Sequence, residues 1–187
     1  MTSESPALPH TDTPPGATLG LAAIFGSTFF ALVAHFMLMP MLLLRMKGDQ
    51  VSSTVAGLFS AAGWLGIFVL TPFASAIAYR LGQRQAMWLS SAVITAAAVG
   101  YVSTNSLPLW FALSFFSGLA MALRWVLAEA LIAEFCPPTQ RGRYVGFFQT
   151  LVSVTFVAGP AALVWSGPDS PATLWWVLGL STFGLAW

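Results

Sequence analysis

Residues 18–44 read TLGLAAIFGSTFFALVAHFMLMPMLLL, without an Asp, Glu, Lys or Arg anywhere in the run. A bilayer core of about 30 Å is crossed by roughly 20 apolar residues, because a helix rises 1.5 Å per residue. The run is therefore long enough to span. It is not expected to be a secretory signal, which needs a cationic start, because the first Lys or Arg is Arg45, beyond the run. Residues 1–17 ahead of it are rich in Ser, Thr and Pro and hold no apolar stretch, which predicts a disordered cytoplasmic tail.

Further runs of this kind cover 54–79, 85–103, 107–135, 144–165 and 172–187. The connections between them (45–53, 80–84, 104–106, 136–143 and 166–171) are short enough to join antiparallel neighbours. The expected fold is all-α and integral to the membrane, an up-and-down bundle of six transmembrane helices over 18–187. The last run reaches Trp187 after roughly 24 Å of helix and has no basic flank, so the sixth span is expected to be truncated. Composition agrees. Of the residues, 57% are hydrophobic and 7% charged, against about 25% charged in a soluble domain, so the chain lacks the polar surface that water requires.

The formal net charge is +1 and no basic stripe runs through the sequence, which removes nucleic acid as a partner. Arg80, Arg84, Arg141 and Arg143 lie in loops on one side of the bundle, against Arg45 and Lys47 on the other. The positive-inside rule then puts the N-terminus in the cytoplasm and the bundle in the plasma membrane, the inner membrane for a bacterium. Cys136 has no second thiol and no nearby His, and reads as an inert small hydrophobe. No nucleotide-binding Gly-rich loop, His-Glu-x-x-His or Ser-His-Asp set occurs, so neither enzyme chemistry nor a cofactor or metal is expected.

Small residues recur at Gly57, Ala61, Gly63 and Gly66 and at Ser114, Gly118 and Ala122, the pattern that lets helices approach closely in lipid. Trp64, Trp88, Trp110, Trp165, Trp175 and Trp176 read as an interfacial belt. His35, Arg124 and Glu129 are the polar side chains expected inside the apolar slab, where an Arg costs about 2.5 to 3.5 kcal/mol at a span centre. They are the candidates for solute binding or ion coupling. For Arg124 the alternatives are a cavity-lining role towards an anionic or carbonyl-bearing solute and simple snorkelling. For His35 they are proton coupling and a hydrogen bond to a neighbouring helix. Arg124 and Glu129 lie about 140° apart around a helix and should not share a face.

Two loops carry a family resemblance. Residues 72–84, PFASAIAYRLGQR, resemble the loop after the second helix of major facilitator transporters, whose pattern is Gly-x-x-x-Asp-Arg-x-Gly-Arg-Arg. Arg80, Gly82 and Arg84 fit, while Ser75, Tyr79 and Gln83 stand in place of Gly, Asp and Arg. Residues 134–143, EFCPPTQRGR, resemble the Glu-x-x-Pro-x-x-x-Arg-Gly-Arg signature after the fourth helix in sugar-porter-like branches. Gly159-Pro160 is similar to the Gly-Pro of the fifth-helix motif and suggests a kink. The stretch from Arg124 to Arg143 also resembles poorly characterised bacterial members of the YcaD type.

The resemblance implies the N-terminal six-helix half of a secondary transporter of about twelve helices, which moves a small solute by alternating access. Its partners would be the lipid bilayer and either the missing C-terminal half or a second copy. Arg80, Gly82, Arg84, Glu134, Arg141, Gly142 and Arg143 would form a cytoplasmic gating cluster, in which Gly82 and Gly142 turn the chain and Glu134 sits among the arginines. The alternative is a truncated membrane protein or scaffold that transports nothing.

Overall fold

The computed structural model describes residues 16–167 and 170–183, so of the expected tail only Gly16 and Ala17 are described, and Ala17 already opens the first helix. The helices are α1 (Ala17–Gly48), α2 (Ser53–Leu70), α3 (Ala74–Leu81), α4 (Gln83–Ser103), α5 (Leu107–Phe135), α6 (Arg141–Ser166) and α7 (Pro171–Phe183). A 3-10 turn at Thr71–Phe73 joins α2 to α3, and the two make one apolar span, Ser53–Leu81. Among the described residues five helical spans are long and apolar enough to cross a membrane, and α7 adds a shorter sixth apolar segment.

Local chemistry sets the helix ends. The Ser52 hydroxyl accepts from the Val55 N–H at 3.4 Å and caps α2. Pro108 sits in the first turn of α5, where no helical partner for its nitrogen is needed. Gly82, at φ 85°, takes the left-handed turn between α3 and α4 that a side chain would resist, as the loop spacing suggests. Gly142 has a different place from the expected one: it lies inside α6, and the chain turns earlier, through Pro137 and a 3-10 turn at Pro138–Gln140. The two prolines already end α5 and hold φ near −65°, so no left-handed residue is needed there.

The bundle is organised around α1 and α5. α5 packs on α2 and α4, α1 packs on α6 and α7, and α1 meets α5 between the two groups. The most apolar stretch of α1 and of α5 is 56% buried, against 11% for the second span, which marks α2 as peripheral. Gln83 bonds to Glu134, and the Phe135 ring lies against Gly20, so the starts of α1 and α4 and the end of α5 share one end of the bundle. Val51 packs near Tyr101 and Trp110 at the other end.

Two apolar clusters divide the interior along its length. One, at the arginine-bearing end, includes Ile24, Met87, Leu127, Ile132 and Phe148. The other includes Met41, Phe59, Tyr101, Trp110 and Leu163. Between them in sequence on α4, α5 and α6 fall the buried polar residues Ser90, Ser91, Ser114, Ser117 and Thr155, a polar waist to an otherwise apolar bundle, while Arg124 lies within the first cluster's stretch of α5, between Leu123 and Leu127.

The small-residue stripes meet where α2 crosses α5. A Cβ built on Gly118 would overlap the Gly63 carbonyl, and one on Gly66 would overlap the Phe115 carbonyl and lie 2.9 Å from the Leu119 nitrogen. The Ser114 hydroxyl donates across the same crossing to the Phe59 carbonyl at 3.2 Å. Gly57 takes no part, since a Cβ there would meet no atom within 4 Å. The tryptophans divide as well. Trp88, Trp165, Trp175 and Trp176 are exposed, whereas Trp110 is buried and donates its indole N–H to the Thr104 carbonyl at 2.7 Å. Gly118→Ala should therefore destabilise the bundle by about 1–3 kcal/mol through overpacking, while Gly57→Ala should be neutral or stabilising by up to about 1 kcal/mol. Melting temperatures of the two variants in one detergent check this, and equal values would contradict the crossing.

Candidate functional site

A cavity of about 510 Å³ opens between α1, α2, α5 and α6. Its volume lies in the range of small-molecule sites, roughly 300–1,000 Å³. The walls exist because of the close crossings on either side. α2 and α5 touch backbone to backbone at Gly63 and Gly118, and α6 approaches α1 where Gly159 lies against Phe36 and Met37. A Cβ on Gly159 would come within 2.6 Å of the Phe36 Cβ, so this glycine permits a helix contact. Next to it, α6 continues through Pro160, as α1 continues through Pro40.

Of the residues expected inside the slab, His35 and Glu129 line this cavity. Glu129 lies six residues before Phe135, about 9 Å from the arginine-bearing end of α5. Its carboxylate accepts from the Trp125 indole N–H at 2.9 Å and from the Gln149 amide at 3.0 Å, which ties α5 to α6. His35 packs edge-on against Phe36, with ring centroids 5.5 Å apart. It also lines a second, water-sized cavity of about 10 Å³ together with Tyr101, Ser117 and Ser181.

Arg124 is placed differently. It is buried, with 1% of its surface exposed, and it does not line the large cavity. Its guanidinium donates through Nη1 to the Ser91 hydroxyl on α4 at 2.5 Å, while Nε and Nη2 have no hydrogen-bond partner among the described residues. The reason is helical geometry: the α5 face that carries Glu129 looks onto the cavity, and Arg124, turned well away from it, looks onto α4. In this structure Arg124 thus lines neither the large cavity nor an exposed surface.

At the arginine-bearing end, Glu134 Oε2 accepts from Gln83 Nε2 at 2.9 Å. Among the described residues this is its hydrogen bond, and none comes from Arg80, Arg84, Arg141 or Arg143. Gln83 is the residue that stands where the loop pattern has an arginine, so a neutral amide makes the contact between the two loops. Cys136 is buried just beyond α5. Burial pushes its thiol above the ordinary range and Arg141 draws it partly back, which leaves it a poor nucleophile.

Trp64, Trp125, Phe36 and Phe156 also line the cavity, and none of the four is among the solute-binding candidates expected from sequence. Trp64 reads from sequence as part of the belt, yet it lies well inside the second span. Its position near the middle of a span, rather than at an end, was the available signal. Because two of the Arg124 nitrogens are buried without partners, Arg124→Met should hold or raise the melting temperature by a few degrees, a buried unpaired polar group being costly. A drop of several degrees in detergent-purified protein would show that the guanidinium is fully satisfied.

Comparison with known proteins places these features in a family. The model described as Major Facilitator Superfamily matches residues 24–187. The chain is 22% identical over 137 residues to the "Uncharacterized MFS-type transporter YfkF" of Bacillus subtilis (strain 168), a match covering 72% of this chain and 35% of that protein. It is 28% identical over 95 residues to the "Putative metabolite transport protein YyaJ" of the same organism, covering 51% of this chain and 21% of that protein. The matches thus span about a third or less of each relative's own length. With the family match running through nearly all of the apolar helices, the chain belongs to the major facilitator superfamily of membrane transporters.

Proposed function

We propose that this bundle is the N-terminal half of a secondary transporter that moves a small solute across the plasma membrane by alternating access, and that it is not an enzyme. The observation that carries the reading is the cavity of about 510 Å³ between α1, α2, α5 and α6, which has a carboxylate and an imidazole in its wall. Proteins of this type rock one six-helix half against the other around a shared site near the bilayer midplane. The missing wall of the cavity would come from a C-terminal half or a second copy, consistent with the greater length of the relatives. A scaffold that transports nothing would have no need of an open, charged cavity.

His35, which lines both the large cavity and the water-sized one, is the coupling candidate, an ionisable side chain inside a span that faces open space on two sides. Glu129 is the solute-binding candidate. Arg124, with two free donors, is suited to a second conformation in which α4 and α5 shift and those donors find acceptors. The Gln83–Glu134 bond would latch the cytoplasmic end in one of the two states, with Gly82 setting the turn and Arg80, Arg84, Arg141 and Arg143 at the headgroup level. The charge bias puts that end, and the N-terminus, in the cytoplasm, at the inner membrane of a bacterium.

Two outcomes are expected. A cysteine at Ser106 should react with a membrane-impermeant thiol reagent added outside cells, and one at Gln140 should not; the opposite pattern would reverse the orientation. In proteoliposomes that contain the full-length protein, Glu134→Ala should change the maximal uptake rate several-fold and leave KM within about twofold, because the latch lies away from the solute. Absence of flux of any solute across such membranes, with correctly inserted protein, would refute the transport reading.

A further inference from the structure

The polar atoms in the cavity wall are nearly all acceptors. Each hydroxyl that lines it has already committed its hydrogen: Ser60 to the Ala56 carbonyl at 3.2 Å, Thr71 to Ile67 at 2.7 Å, Ser114 to Phe59 at 3.2 Å and Ser117 to Ser114 at 2.9 Å. A hydroxyl has one hydrogen and two lone pairs, so these side chains have only lone pairs left for a ligand. The Trp125 N–H is likewise taken up by Glu129.

The backbone adds to the same side. Pro40 and Pro160 have no N–H, so the carbonyls four residues earlier, those of Phe36 and Phe156, lack their helical donors. Both phenylalanines line the cavity, and their ring centroids are 4.1 Å apart. Among the described lining residues the donors that remain are the Trp64 indole and the His35 imidazole. An anion or a carbonyl-bearing solute needs donors, and the guanidinium that could supply them is bonded to Ser91 on the α4 side of α5.

Against this scarcity of donors stand the Glu129 carboxylate and the aromatic faces of Phe36, Trp64, Trp125 and Phe156. A carboxylate attracts a positive charge, ring faces attract it through their quadrupoles, and the rest of the wall is apolar. Taking the cavity as the solute site, as the transport reading does, we propose that the solute is an organic monocation with an aromatic or branched apolar body. Its charged centre rests between Glu129 and the faces of Trp64 and Trp125, and its body lies against Phe36, Phe156 and Met121.

The test uses two ions of one shape and opposite charge. The full-length protein in lipid nanodiscs is titrated with radiolabelled tetraphenylphosphonium and with tetraphenylborate, and binding to protein-free discs is subtracted. The cation should bind saturably, and the anion about tenfold more weakly or not at all. Glu129→Gln keeps an oxygen acceptor for Trp125 and Gln149 but loses the charge, and should weaken cation binding about tenfold or more. Trp64→Leu, at a side chain 60% exposed and so tolerant of change, should weaken it about two- to fivefold. Equal or tighter binding of the anion, no binding of the cation, or affinities unchanged in both variants would overturn the proposal.

Flux in the same preparations separates this inference from the reading beneath it. Glu129-dependent cation binding with no counterflow supports the cavity chemistry and tells against transport. Flux of an anionic solute that is unaffected by Glu129→Gln does the reverse.

Discussion

No water is available inside a bilayer core, and this constraint shapes the bundle at every level. Each backbone N–H and C=O must find its partner within a helix, and each side-chain hydroxyl must find one nearby. Ser60, Thr71, Ser117, Thr150, Ser153 and Thr155 all donate to a carbonyl three or four residues back on their own helix. A donor satisfied in this way leaves its oxygen available as an acceptor. The chemistry of the cavity wall thus follows from the rule that keeps the helices intact, and the exceptions mark what is unusual: Arg124, with two unsatisfied nitrogens, the Thr28 and Tyr101 hydroxyls, buried without a partner among the described residues, and the carbonyls freed by Pro40 and Pro160.

Without a hydrophobic effect to drive helix against helix in lipid, close packing has to come from small residues and interhelical hydrogen bonds. The bundle places its closest glycine contacts at two crossings. Gly63 and Gly66 meet Ser114 and Gly118 at one, with the Ser114–Phe59 bond across it, and Gly159 meets Phe36 and Met37 at the other. These contacts bring α2 to α5 and α6 to α1, and the opening between the pairs is the cavity. The glycines therefore serve packing and site at once. Gly63 and Gly118 hold the crossing and also line the wall beside Ser114 and Ser117.

At the arginine-bearing end, the residue that departs from the loop pattern makes a neutral contact between two helix ends. The loop pattern places an arginine where this chain has Gln83, and an ion pair with Glu134 would be sensitive to salt at an exposed position. The amide keeps a hydrogen bond at 2.9 Å between α4 and the end of α5. Its energy is modest, about 0.5–1.5 kcal/mol for a typical intramolecular bond and somewhat more to a charged group. A contact of that size is compatible with the proposed latch, since a much stronger one would trap a single state.

The sequence by itself determined the class of fold and most of its boundaries, because span length, charge depletion and Pro or Gly punctuation are local properties that need no partner. The runs at 85–103 and 107–135 agree with α4 and α5 to within two residues, and the left-handed turn at Gly82 was legible from the loop alone. The small-residue stripes identified surfaces able to pack closely, but not which helices would meet. Tertiary structure decided the site. Whether a polar residue within a span lines a cavity depends on how its helix is rotated and what faces it, so Glu129 and His35 came to the cavity and Arg124 went to Ser91 on α4. The same holds for Trp64, an exposed aromatic in either reading, which became cavity wall only once α2 was held against α5. Where each hydroxyl hydrogen goes, and hence which charge the cavity favours, is fixed by distances of about 3 Å that no single-residue property encodes.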